Sequence, residues 1–170
     1  MKYYLDANAI IRLGDLPQAT QELSKLHAAG AIKLLFSREA MYELIDGPKV
    51  TSESKAKNRL TLDKLGLSIT ADSIFQLDKG ILSETTLGTD KSHELYESHL
   101  QNKGNPSKAV SDGVHLADSQ AMNAVFVSCD GQARSTARDH DLAKECFIDL
   151  LAQLEIETTA NQRCKKCLGL

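Results

Sequence analysis

The stretch from Asp112 to Asp130, DGVHLADSQAMNAVFVSCD, decides how the rest of the chain is read. Val114, Leu116, Ala117 and Ala121 recur at helical spacing, Asn123 breaks the pattern, and Val125-Phe126-Val127-Ser128 reads as a strand that stops at Asp130. A buried strand that ends on a carboxylate delivers it to the crevice beyond the strand, which in open α/β sheets is where ligands bind. The amino terminus repeats the device: Tyr3-Tyr4-Leu5 runs straight into Asp6.

Between these two strands the pattern alternates. Lys2 to Asp6 is a short first strand, and Asp6-Ala7-Asn8 reads as a turn into the apolar Ala9-Ile10-Ile11. Pro17 suits the first turn of a helix, whose face continues through Leu23 and Leu26 to Gly30 as its C′ residue. Ala31 to Phe36 is a second strand, and Ser37 is an N-cap for a helix through Met41, Leu44 and Ile45 that Gly47-Pro48 closes. Thr51 to Lys64 reads as a solvated helix rich in Lys and Arg, and Leu67 to Thr70 as a short strand. Helices are expected over Ala71 to Leu82 and Thr89 to Gln101, with a restart at Asn105-Pro106. Beyond Asp130, Leu142 to Leu154 fits a helix, and a strand at Cys146-Phe147-Ile148 fits equally well. The alternation predicts an α/β three-layer sandwich with a mostly parallel central sheet flanked by helices, with residues 51–104 as a helical insert. Parallel strands joined by right-handed crossovers have their carboxyl ends on one edge, so Asp6 and Asp130 are expected to be neighbours.

A chain of 170 residues, 42% hydrophobic, suffices for one domain with a real core and is short for two. The domain is expected over residues 1–157, with 158–170 as a polar tail. No apolar run approaches a membrane span, and no secretory leader is recognisable, so a cytoplasmic location is expected. A net charge of −3 argues against a non-specific nucleic-acid coat, yet it leaves room for a nuclease with a local basic rim around an acidic pocket. Cys129, Cys146, Cys164 and Cys167 are not spaced as a disulfide framework. Cys164 and Cys167 form half of a zinc-ligand pattern, and an incidental pair of thiols is the simpler reading.

The acids carry the chemistry. Glu43 lies in the helix after the second strand, and Asp112 lies in the helix that leads to the last. If those helices begin at the same sheet edge, Asp6, Glu43, Asp112 and Asp130 meet in one crevice. Carboxylates so crowded raise one another's pKa values, and a divalent cation removes the conflict. Hard oxygen ligands select Mg²⁺ or Mn²⁺, whose bound water can attack a phosphodiester. Each acid also has a plainer reading: Asp6 as a turn or cap residue, Asp130 as an N-cap, Asp112 as a charge favoured near a helix start, and Glu43 as a surface charge. His115, three residues after Asp112, reads as a packed core imidazole in preference to a general base.

Taken in order, YYLDAN, SREAMYEL, DGVHLADSQA and VFVSCD resemble the PIN-domain nucleases, in particular small VapC-like ribonucleases. Family members place an Asp after strand one, a Glu after strand two, and an Asp eighteen residues after the Asp of a late helix; here Asp112 and Asp130 have that spacing. The resemblance implies a metal-dependent endoribonuclease with Asp6, Glu43, Asp112 and Asp130 around Mg²⁺ or Mn²⁺. It also implies that Asn8 and Ser128 support the pocket. Asp118 stands at a position where the family has a small residue, and Gly113 where it has Ala. Arg134 and Arg138, four apart after Asp130, are candidates for binding RNA. The family further suggests a small antitoxin chain as partner, and a homodimer. A catalytically silent PIN-fold module that binds RNA or protein is the alternative. Phosphoacceptor domains with a similar sheet need adjacent acids after strand one and a lysine ending a late strand, and Asp6-Ala7-Asn8 and Ser128-Cys129-Asp130 supply neither.

Overall fold

The computed structural model describes residues 1–69, 106–139 and 141–156. Their elements run β1 (Lys2–Leu5), α1 (Ala7–Gly14), α2 (Pro17–Ala28), β2 (Lys33–Leu35), α3 (Arg38–Met41), a π-helical turn (Tyr42–Asp46), α4 (Ser52–Leu65), α5 (Pro106–Ala121), β3 (Val125–Ser128), α6 (Gly131–Asp139), β4 (Lys144–Cys146) and α7 (Phe147–Gln153). The strands form an all-parallel sheet in the order β2-β1-β3-β4. The α/β sandwich expected from the sequence is therefore observed.

Strand alternation builds a core on each face of the sheet. Tyr3, Leu5, Leu34 and Val127 point to the side where α1, α2, α4 and α7 contribute Ile10, Leu13, Leu23, Leu62, Leu65, Phe147 and Leu150. Tyr4, Leu35 and Phe126 share one row across β2, β1 and β3 and point the other way, against Leu116 of α5 and Ala133 and Ala137 of α6.

The strand order decides where a site belongs. From β1 the chain moves outward to β2, and from β3 it moves outward in the opposite direction to β4. Right-handed crossovers in opposite directions put their helices on opposite faces, which leaves a crevice where the carboxyl ends of β1 and β3 lie side by side. Asp6 and Ser128 stand at that switch point.

Several expectations change in detail. Asp6-Ala7-Asn8 is the start of α1, with Asp6 as its N-cap. Residues 67–69 form no strand, although Leu67 and Ile69 pack against the core; Thr70 and the helices expected at 71–82 and 89–101 lie outside the described residues. The two readings of the segment ending at Leu154 both hold in part, because β4 occupies Lys144–Cys146 and α7 follows at once from Phe147. Helix α4 departs most from its reading. Asn58, Thr61, Leu62 and Leu65 are buried, and α1 approaches it so closely that a Cβ on Gly14 would stand 3.0 Å from Lys57 Cε. The charges that made it look solvated occupy its outer face, while a narrow inner stripe closes the core over α1 and α2.

Candidate functional site

Asp6 is placed by the backbone on both sides. Its amide donates to Val127 O at 3.2 Å, extending the β1–β3 ladder by one bond, and its Oδ1 accepts from Ala9 N at 2.8 Å as the cap of α1. Its Oδ2 accepts from the Ser128 hydroxyl at 2.5 Å. The carboxylate is 4% exposed. Burial raises its pKa, and the Ser128 hydrogen bond, the His115 charge, the Ala9 amide and the Asn8 side chain offset only part of that.

Ser128 joins Asp6 to the next acid. Its Oγ donates to Asp6 and accepts from Asp130 N at 2.8 Å. Asp130 Oδ1 accepts from Gln132 N and Ala133 N at 2.8 and 3.2 Å, so this carboxylate caps the start of α6. Arg134 turns back from α6 and donates to Ser128 O at 2.9 Å, which makes it a brace for the end of β3. Arg138 is exposed and donates to Ser135 Oγ at 2.9 Å, with its Nε 3.5 Å from Asp139. The two arginines thus have separate surroundings, one at the edge of the crevice and one on the outer face of α6.

The other half of the site centres on His115, which is 3% exposed. Its Nδ1 lies 2.9 Å from Tyr4 Oη and its Nε2 lies 3.3 Å from Glu43 Oε2. Tyr4 Oη is also 2.7 Å from Ser37 Oγ. Burial on its own would pull the imidazole pKa down; the Glu43 hydrogen bond and charge, with the charges of Asp6 and Asp118, outweigh it and push the value up to about 9. At neutral pH the ring is therefore an imidazolium whose two N–H groups donate to Tyr4 and Glu43.

Glu43 reaches this ring from a π-helical turn, a local widening of the helix that recurs at functional sites. The turn is pinned from α4, where buried Asn58 donates Nδ2–H to Leu44 O at 2.8 Å. Lys55 pairs with Asp46 at 3.1 Å, and Lys57 pairs with Asp15. Part of the basic run read as a solvated face thus ties α4 to its neighbours.

Asp112, His115 and Asp118 follow one another at three-residue spacing along one flank of α5. Asp112 is half-buried. Asp118 is fully buried, which settles its position away from solvent, and its charge contributes to the raised pKa of His115. The structure therefore gathers Asp6, Glu43 and Asp118 electrostatically around one imidazole, with Ser128 linking Asp6 to Asp130. The sequence reading of His115 as a packed core imidazole agrees with its burial and its two hydrogen bonds, while Tyr4 was missed. A tyrosine directly before Leu5-Asp6, on a strand expected to be buried on both faces, was the available signal, because a buried phenol needs a hydrogen-bond partner.

The donors are carboxylate and hydroxyl oxygens, the chemistry that suits a hard divalent cation. Among the described residues no three His, Cys, Asp or Glu side chains stand at metal-holding spacing. Asp6 is the group whose burial fits a cation best, since a positive charge would offset the cost of keeping it ionised. Cavities of about 370 Å³, beside Lys2 and Asn123, and 540 Å³, between α2 and Lys64, lie elsewhere. The site is marked by its charges and not by cavity size. No helix of the described residues is long and apolar enough to cross a membrane. Comparison of the chain with protein-family models, with curated proteins and with solved structures found no match.

Proposed function

We propose that the chain is a PIN-like, Mg²⁺- or Mn²⁺-dependent endoribonuclease that hydrolyses RNA phosphodiester bonds at the crevice between β1 and β3. The observation that carries this reading is the place of Asp6: a buried carboxylate with a raised pKa, at the topological switch point, hydrogen-bonded to a serine that also meets Asp130. Asp6 would hold the cation, with Glu43, Asp112 and Asp130 as the further acids of the set. A bound divalent ion supplies charge neutralisation for the phosphate and lowers the pKa of a water. The chain's own part is to fix the acids: Ser128 and Ala9 N orient Asp6, the α6 amides orient Asp130, and His115 orients Glu43. An antitoxin chain, a second copy of the domain and a cytoplasmic setting belong to the same proposal, as does contact of RNA with Arg134 and Arg138.

A second reading, a silent PIN-fold module that binds RNA or protein, draws on the ties already present, since Glu43 is paired with an imidazolium and Asp130 serves as a helix cap. Cleavage of single-stranded RNA with Mn²⁺ by the wild type and by Asp6→Asn separates the two. The nuclease reading expects a loss of about 100-fold or more in kcat, as for removal of one charged group from a site that stabilises developing charge. Equal, metal-independent background for both proteins would support the silent module and end the nuclease proposal.

A further inference from the structure

Tyr4 is held by the core before it makes any polar contact. Its ring lies in the central strand, stacked on Phe126 with centroids 6.3 Å apart and planes at 26°. From that fixed ring the phenol oxygen meets Ser37 Oγ and His115 Nδ1. Ser37 is itself immobilised, because its Oγ accepts from Ala40 N at the start of α3. With Nδ1 committed to the phenol, the geometry of the ring leaves Nε2 facing one way, toward Glu43 Oε2. The Glu43 side chain is 33% exposed, while His115 is 4%. A rigid, buried chain of three side chains thus ends on a carboxylate that solvent and substrate can reach.

We propose that Tyr4, Ser37 and His115 form a positioning relay that fixes the Glu43 carboxylate at His115 Nε2, so that Tyr4 and His115 act on the chemistry of the site through Glu43. The role rests on the nuclease reading for its effect on turnover, but the relay itself is a property of the protein alone. The arrangement draws together the end of β1, the N-cap of α3, the π turn and α5. A hydrogen-bond partner once removed from a ligating group of this kind typically changes activity or metal affinity by about 10- to 100-fold.

The test is a double-mutant cycle with a spectroscopic arm. Tyr4→Phe keeps the ring and its stacking and removes only the hydroxyl. On Mn²⁺-dependent RNA cleavage it should lower kcat by about 10-fold with KM unchanged, and it should have no further effect in a Glu43→Gln background. Losses that multiply instead would mean that Tyr4 acts by packing alone, and would overturn the relay. In the metal-free protein, ¹³C and ¹⁵N NMR should show the Glu43 carboxyl and His115 Nε2 signals shifting together in Tyr4→Phe, with Ser37→Ala shifting them in the same direction. An unmoved Glu43 carboxyl signal in a folded Tyr4→Phe protein also rejects the proposal. Absence of cleavage by the wild type would count against the nuclease reading, and the NMR arm would still decide the relay.

Discussion

Asp6 and Glu43 both raise the pKa of the same imidazole, one through its charge alone and one through a hydrogen bond as well, and they are held in place by different means. Asp6 follows its strand directly, and its position is set within a few residues: the ladder bond to Val127 O, the Ala9 amide, and a serine at the end of the neighbouring strand. Asp130 is held likewise, by amides of the helix it begins. Glu43 meets partners from distant segments, His115 at its carboxylate and, through the π turn, Asn58 at the Leu44 carbonyl. The contrast teaches that backbone caps make one half of the site a consequence of local structure, whereas the other half exists only once α4 and α5 have docked. The first half should survive perturbations that release the second.

The largest expected effect is on stability against pH, and it belongs to the second half. An unfolded histidine has the ordinary value near 6.5, and the folded His115 is raised to about 9. The folded protein therefore holds this proton more tightly than the unfolded chain, so the contribution is fully present below the unfolded value and is lost as pH rises through the folded one. A difference of this size corresponds to roughly 3 kcal/mol of stability lost between about pH 6.5 and 9.5 in metal-free protein. Urea titrations across that range should show the decline, and Glu43→Gln should flatten it. The same decline in a His115→Gln protein would assign it to other groups. Asp6 titrates with the same sign at lower pH, because its raised pKa makes ionisation a cost that grows as pH rises through the carboxylate range and is relieved as pH falls through the folded value.

Next in size is Asn58→Ala. Asn58 is 5% exposed, and its amide satisfies the Leu44 carbonyl inside the π turn. Leaving a buried carbonyl without its donor costs about 1–3 kcal/mol, and the turn can recover part of that by reverting to ordinary helical pairing. Such a reversion would rotate Glu43 away from His115. The measurement is paired: a loss of stability in urea, together with a change in the His115 ring ¹⁵N shifts. A destabilised protein whose ring signals stay in place would show that the π turn does not depend on α4.

How much of this was legible before folding follows the same division. Strand ends that run into Asp, the Ser37 cap and Gly30 at the close of α2, where φ is +73°, were readable because each is decided by a handful of adjacent residues. The parallel sheet followed from alternation alone. Helix α4 was misread as a solvated helix because its buried stripe of Asn58, Thr61, Leu62 and Leu65 contains two polar residues, and hydrophobic spacing does not register an asparagine that is buried to satisfy a carbonyl. His115 was read as a packed imidazole, and it is one; what spacing did not register is its charge. Its charge is set by Glu43, Asp6 and Asp118, and only the first of these lies on the π turn, whose register no local pattern announces. Of the short strand expected over Leu67 to Thr70, residues 67–69 pair with none of the described strands.

The smallest expected effect on stability is at Asp130, and it carries the sharpest distinction between folding and chemistry. Its Oδ1 accepts two amides at the start of α6, and asparagine caps a helix about as well as aspartate does. Asp130→Asn should therefore change stability by no more than about 0.5 kcal/mol, whereas Asp130→Ala should lose about 1 kcal/mol with the cap. If the carboxylate serves only as a cap, the asparagine variant should keep whatever activity the wild type has, and the alanine variant should lose it in proportion to stability. If its charge belongs to the site, asparagine should abolish Mn²⁺-dependent cleavage while melting like the wild type. Measuring both variants by urea titration and by cleavage of the same RNA separates the cap from the charge, because asparagine preserves one and removes the other.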